Sequence, residues 1–394
     1  MTRPDFDEPI QRVGTFCNKW DDMERAYGVS PQDGIAMWVA DMDFRPPAAV
    51  QRALEAAASH GVYGYPAADP AYPAAIQWWM KNRHGWEIDT GWILTAMGLV
   101  NATALAIEAY TAPGDGVVVM SPVYHAFGRV VRASGRELVE LPLRIDEAGL
   151  YRMDWEGWAA QMTGREKMLI LCSPHNPGGR VWSAEELRQT AEFCRAHDLI
   201  LVSDEIHHDL VMPGHRHTPM PLAAPDIVPR LVMLTAATKT FNIAGAHVGN
   251  AIIPDPDLRA RFQGRLSALG LSPGMFGTSM VSAAYSPEGA AWVDHLIAYL
   301  DENRRIFDAA VNAIPGLRSM PLEATYLAWV DFAGTGMTPD EFKSRVAKGA
   351  RIAANHGETF GAGGESFMRF NLATPRARVI EAAERLRSAF ADLQ

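Results

Sequence analysis

Six short runs rich in Val, Ile, Leu and Met, at 92–95, 116–120, 137–141, 168–172, 199–203 and 231–235, alternate with helical patterns that include 99–110, 126–133 and 184–197. Runs such as GVVVM, KMLIL and LILVS offer no polar face to water, so each reads as a strand covered by protein on both sides. Strands of that kind separated by helices predict an α/β architecture, a largely parallel sheet between helical layers. Residues 46–60 add a helix entered through two prolines. After about 285 the pattern changes to a long helical stretch at 290–313, two shorter strands, LAWVDF and FMRFNL, and a last helix at 373–393. The chain therefore divides into an arm at 1–45 that also joins the small domain, a large domain at 46–285, and a small α+β domain at 286–394. The arm carries aromatic clusters but no long amphipathic segment, as expected of a strap lying over something else.

Composition narrows the class. With 394 residues, 48% hydrophobic and 21% charged, the chain builds its core without staples. Three unpatterned cysteines, Cys17, Cys172 and Cys194, fit a reducing compartment and neither a disulfide framework nor a zinc ribbon. The formal charge of −10 repels polyphosphate and anionic lipid. No apolar run reaches membrane-span length, and the polar N-terminal segment has no signal-peptide core. The expectation is a cytoplasmic enzyme with no nucleic-acid or membrane partner.

In a parallel α/β sheet ligands bind beyond the carboxyl ends of the strands, so the polar residues following each run matter most. After 92–95 comes Gly98-Leu99-Val100, a turn into an Ala/Leu helix that can offer backbone N–H groups to a phosphate. After 168–172 comes Asn176 between two prolines, a rigidly placed amide. Asp204 ends a wholly apolar run, where a carboxylate requires a partner such as a cationic ligand nitrogen. The same segment, DEIHHD, gathers two His and three carboxylates but lacks a His pair at metal-ligand spacing, so no metal is expected. Lys239 follows the last run among small and apolar residues, which lowers an amine's pKa and makes it nucleophilic toward carbonyls. An amine, a carboxylate, an amide and a phosphate turn on one sheet edge form the kit for pyridoxal phosphate.

The motifs SPHNPGGRVW (173–182), SDEIHHDLV (203–211), ATKTFNIAG (237–245) and MRFNLATPR (368–376) resemble those of the fold-type I pyridoxal phosphate enzymes, the aspartate aminotransferase superfamily. GTFCNKWDDM (14–23), MWVADMDFRPP (37–47), GVYGYP (61–66), SPVYHAF (121–127) and DEIHHDLVMPGHRHTP (204–219) are similar to the MalY/PatB-type C–S lyases, the bacterial cystathionine β-lyase branch. The resemblance implies a mostly parallel seven-stranded sheet, a homodimer with shared sites, and α,β-elimination on L-cystathionine or related cysteine thioethers; the alternative is an aminotransferase. It implies that Lys239 holds the cofactor covalently and shuttles the proton, Asp204 pairs with the pyridine nitrogen, and Asn176 meets the ring 3-hydroxyl. Tyr124 stacks on the ring, with His207 beside it. The backbone of Gly98, Leu99 and Val100, together with the Thr238 hydroxyl, binds the phosphate, and Tyr65 reaches the neighbouring subunit's phosphate. Arg369 clamps the substrate carboxylate and Ala40 closes over it through its backbone. His207 in place of Tyr and His247 in place of Arg depart from plain aminotransferases and favour the lyase branch, while Thr238 in place of Ser departs from that branch, and Gly179 is less usual. His125 is expected near the ring; Asp43, Glu205 and His208 are expected to hold structure.

Overall fold

The apolar runs form β1 (Ile93–Ala96), β2 (Gly116–Ser121), β3 (Glu137–Pro142), β4 (Glu166–Cys172), β5 (Ile200–Asp204) and β6 (Leu231–Thr235), joined by a seventh strand, β7 (Gly249–Ile252). The computed structural model describes residues 4–393; residues 1–3 and 394, the ends of the expected arm and small domain, lie outside the described residues. The strand order is β1-β7-β6-β5-β4-β2-β3. All neighbours pair in parallel except β7, which runs antiparallel to both β1 and β6. The six runs did not include β7, because Gly249-Asn250 interrupts its apolar pattern. Gly249 is required there: a Cβ would lie 2.5 Å from Leu99 Cδ2 and 3.0 Å from the Gly98 carbonyl carbon. The bare backbone lets the turn at 98–99 rest against the sheet.

Alternate residues of each strand enter opposite cores, as burial on both faces requires. Val117, Val119, Met168 and Ile170 pack with helices α3 (Leu99–Tyr110) and α6 (Pro256–Ala268). Val118, Met120, Leu169 and Leu171 pack with α2 (Ala71–His84), α5 (Ala184–Ala196) and α8 (Pro287–Asn312). The remaining long helices are α1 (Ala48–His60), α4 (His125–Ala133), α7 (Met275–Ala284) and α9 (Arg376–Ala389), with shorter helical turns between elements. Helix α5 opens on a capping box between Ser183 and Glu186. No helix among the described residues is long and apolar enough to cross a membrane.

A second, antiparallel sheet joins β8 (Arg318–Ser319), β9 (Leu327–Asp331), β10 (Asn355–His356) and β11 (Phe367–Asn371) in the order β8-β9-β11-β10. The arm docks on it. Ile35–Ala36 pairs in parallel with Ile352–Ala353, Asn371 Nδ2 donates to the carbonyls of Val39 and Asp41 (2.6 Å each), and Asn371 N donates to Met37 O. From the other side Asn242 takes the Met42 amide on its Oδ1 and donates Nδ2 to the carbonyls of Met42 and Phe44. Residues 37–44 are thus stretched between the small sheet and the segment that follows β6.

Candidate active site

Register brings the polar strand ends together. Cys172 pairs with Asp204 and Asp204 with Leu234, so the segments after β4, β5 and β6 leave the sheet side by side. They floor a cavity of about 620 Å³ whose wall includes Asn176, Asp204, Lys239 and Arg369. Gly98, Leu99, Val100, Tyr124, His207, Thr238 and Ala40 line the same space, as do His125 and His247.

On the β1 side, Gly98 caps α3 at φ +88°, a conformation that favours glycine, and nothing lies within 4 Å of where a side chain would start. The helix behind it has first-turn N–H groups without intrahelical acceptors and the positive end of its dipole facing the cavity. That corner is shaped for an anion, with the Thr238 side chain on the same wall.

In the middle stands Asp204, 4% exposed, accepting a backbone hydrogen bond from Ile206 (3.1 Å). Burial raises its pKa to about 7, against the pull of that hydrogen bond. A cationic N–H placed against it would bring it back to the carboxylate. Lys239 sits on the short turn Ala237–Thr240, and its Nζ donates to Ala40 O of the arm (2.5 Å). Burial lowers this amine to about 8, opposed by Asp41 and Asp204, so a useful fraction is neutral near physiological pH. The buried Tyr326 hydroxyl donates to the same carbonyl (2.9 Å).

Opposite the floor, β11 supplies Arg369, 2% exposed. Its guanidinium donates to Asn176 Oδ1 (2.9 Å), Trp38 O (2.9 Å) and Asn355 Oδ1 (2.5 Å) and lies over the Phe360 ring. Its Nε and His207 Nδ1 are buried without a hydrogen-bond partner among the described residues, and both side chains line the cavity, where a ligand can pair with them. Burial lowers Arg369 to about 10, which still leaves it cationic. The cavity therefore offers an anion corner, a carboxylate in need of a cation, a nucleophilic amine and a buried guanidinium.

Two positions singled out in the sequence do not line this cavity. Tyr65 is fully exposed in an extended stretch away from the cavity. Gly179, noted for its departure from the pattern, does not line the cavity; at φ +66° it packs where a Cβ would meet Leu322 Cδ1 at 2.3 Å, so its role is steric. Asp43 is buried against Lys19 (3.0 Å), Arg12 (2.8 Å) and Trp20 Nε1 (3.0 Å) and anchors the arm. Asn355, Tyr326 and Asn242 escaped the sequence reading. The first two come from chain far from the strand ends, and only Asn242, inside the motif that carries Lys239, had a local signal.

Comparison with known proteins places this geometry among relatives. The model for the aminotransferases of class I and II matches residues 33–386. The chain is 39% identical to the cystathionine beta-lyase PatB of Bacillus subtilis, over 98% of this chain and 99% of that one. It is 30% identical to the protein MalY of Escherichia coli, over 95% and 96% of the two chains. Among solved structures, cystalysin from Treponema denticola, which contains a pyridoxal 5'-phosphate cofactor, superposes with a TM-score of 0.94 at 34% identity, covering 100% of both chains. The PLP-bound C–S lyase from Staphylococcus hominis superposes at 0.90 with 27% identity, over 99% of this chain and 98% of that one.

Proposed function

The chain belongs to the class I and II aminotransferase family, and from that premise we propose that it is a pyridoxal 5'-phosphate-dependent carbon–sulfur β-lyase acting on L-cystathionine or a related L-cysteine thioether. The observation that carries the reading is the convergence of Lys239, Asp204, Asn176 and Arg369 on one cavity beside the α3 N-terminus, in a chain alike over its length to a cystathionine beta-lyase.

The residues present fit the cofactor. The α3 N-terminus with the Gly98, Leu99 and Val100 amides, and the Thr238 hydroxyl, would hold its phosphate; Asp204 would face its ring nitrogen, and Asn176 its 3-hydroxyl. Tyr124 and His207 would flank the ring, and Lys239 would be its covalent anchor. Bound there, pyridoxal phosphate supplies an electron sink conjugated to the substrate's Cα. Arg369 grips the substrate carboxylate with two parallel N–H donors, an arrangement a lysine cannot match. Released from Ala40 O and neutral near pH 8, the Lys239 amine takes the Cα proton. The arm, through the Ala40 backbone, closes the site over the substrate and excludes water. Loss of the thiolate from Cβ leaves 2-aminoacrylate, which hydrolyses to pyruvate and ammonia.

Exposed Tyr65 and its neighbours Val62 and Tyr63 fit a homodimer in which Tyr65 reaches the phosphate of the adjoining subunit. The arm at 1–45 and the residues from 286 onward act as the cover of a large domain at 46–285, and the enzyme works in the cytoplasm. The test is to incubate the purified holoenzyme with L-cystathionine and no keto acid. Pyruvate, ammonia and free thiol appearing together support elimination. Their absence, with a new amino acid formed once a keto acid is supplied, makes the protein an aminotransferase.

A further inference from the structure

Behind the cofactor cavity, on the far side of the segment carrying Asp204, lies a second buried polar cluster that the elimination does not use. Helix α2 contributes His84, and the turn after β5 contributes His208 and Asp209, which are 9%, 2% and 6% exposed. One side-chain ligand atom from each lies within 4.8 Å of the other two. We propose that His84, His208 and Asp209 form a binding site for a divalent transition metal of the zinc type, independent of the cofactor.

The most direct sign is His208. Both its ring nitrogens are buried without a hydrogen-bond partner among the described residues. Its Nε2 stands 3.2 Å from Asp209 Oδ2 yet lacks hydrogen-bond alignment. A buried imidazole with both nitrogens unpaired is a costly arrangement that a bound ion would relieve. Ligands held at roughly 2.0–2.2 Å around a tetrahedral zinc lie about 3.3 Å apart, close to that spacing. His84 Nε2 is 2.8 Å from Asp209 Oδ1, so a metal would take the place of the N–H between them, the imidazole keeping its one proton on Nδ1. Two imidazoles and one carboxylate suit zinc, cobalt or nickel and not the oxygen-seeking calcium or magnesium; three protein ligands leave a position for water.

The surroundings support a cation. Asp209 is held in place by Trp79 Nε1 (3.0 Å) and Thr240 Oγ1 (2.8 Å), the outer contacts that orient a ligating carboxylate. A pocket of about 350 Å³, lined in part by Arg83, His215, His217 and Asp294, opens onto the cluster. Two guanidiniums line that pocket, Arg83 and Arg216; Arg83 is neutralised by Asp294 at 2.8 Å. His84 lies far upstream of DEIHHD, so no metal-ligand spacing is visible along the chain; the fold supplies the third ligand. Through Thr240 the site adjoins the turn that bears Lys239.

The test uses the holoenzyme, treated with a chelator, dialysed into metal-free buffer, equilibrated with Zn²⁺ or Co²⁺, and gel-filtered before elemental analysis. One equivalent per chain is expected, with the visible absorption of low-coordinate Co²⁺. His208→Gln and His84→Gln, on separate elements, should each weaken binding at least about tenfold, while His295→Gln, at an exposed surface position, should not. Circular dichroism verifies that each variant is folded, and the wild-type measurement stands if one is not. Background metal in the wild-type protein, or undiminished binding in both folded variants, overturns the proposal.

Discussion

Residues 203–209 build two buried clusters with opposite bookkeeping of hydrogen bonds. Toward the cavity, Asp204 receives one backbone N–H among the described residues, His207 Nδ1 has no partner, and burial drives the Asp204 pKa up to about 7. Away from the cavity, Glu205 accepts from Ser203 Oγ and Met220 N and pairs with His217. Asp209 there accepts from Trp79 and Thr240 and pairs with His84. Both of these carboxylates are held below their ordinary range; partners outweigh burial. Adjacent carboxylates in one peptide thus differ because protein groups outweigh burial at Glu205 and Asp209 but not at Asp204, while the His208 ring beside Asp209 is left without a hydrogen-bond partner among the described residues. Within the cavity, Asp204 and His207 are the members of this segment left short of partners; Glu205 and Asp209 hold the scaffold that aims them.

The sharpest break between the two sides is kinetic. Lys239→Ala should remove the proton shuttle and lower turnover by about 10³-fold or more; retained lyase turnover would refute its assignment. On the satisfied side the expected signature reverses. Asp209→Ala strands its donors and should cost about 3–5 kcal/mol of stability in urea denaturation; a loss of under about 1 kcal/mol would show that the contacts of Asp209 are not structural.

Asp204→Asn joins both readouts. In the holoenzyme it should lower kcat about 100-fold. In the cofactor-free protein the sign is opposite. The folded-state pKa of Asp204, about 7, exceeds its ordinary 3.8, so the folded state holds a proton that the unfolded chain has lost, and stability falls as pH rises from about 4 to about 7. The variant should lack that fall and exceed the wild type by a few kcal/mol, roughly, at neutral pH. Lys239 contributes the converse: lowered to about 8 from 10.5, it returns stability as pH rises between those values. Urea midpoints across pH check both.

The smallest effect is expected at Tyr65. As a fully exposed residue it should change stability by under about 0.5 kcal/mol when replaced by Phe. In the proposed homodimer, where its hydroxyl would serve the adjoining subunit, dialysis should nonetheless strip cofactor more readily, by about tenfold in affinity. Unchanged retention removes Tyr65 from the site.

Much of this was legible in the sequence, for a physical reason. Continuous apolar runs announce strands buried on both faces, and the residues that follow them, Asn176, Asp204 and Lys239, necessarily emerge on one edge. The strand β7 was not legible, because Gly249 and Asn250 answer to a close helix turn and to the Tyr72 hydroxyl (2.5 Å) and so break the apolar pattern. Asn355 belongs to the small sheet and Tyr326 directly precedes its strand β9, and no local pattern fixes where that sheet meets the large one. His84 joins His208 only through the packing of α2, a long-range event.

The central claim is that the unsatisfied side of the segment is completed by a cofactor joined to Lys239. Reducing the holoenzyme with borohydride and mapping its peptides by mass spectrometry tests this most directly. A single pyridoxyl group on the peptide containing Lys239 is the expected result. A pyridoxyl group on another lysine, or none at all in a preparation that turns over L-cystathionine, would contradict it.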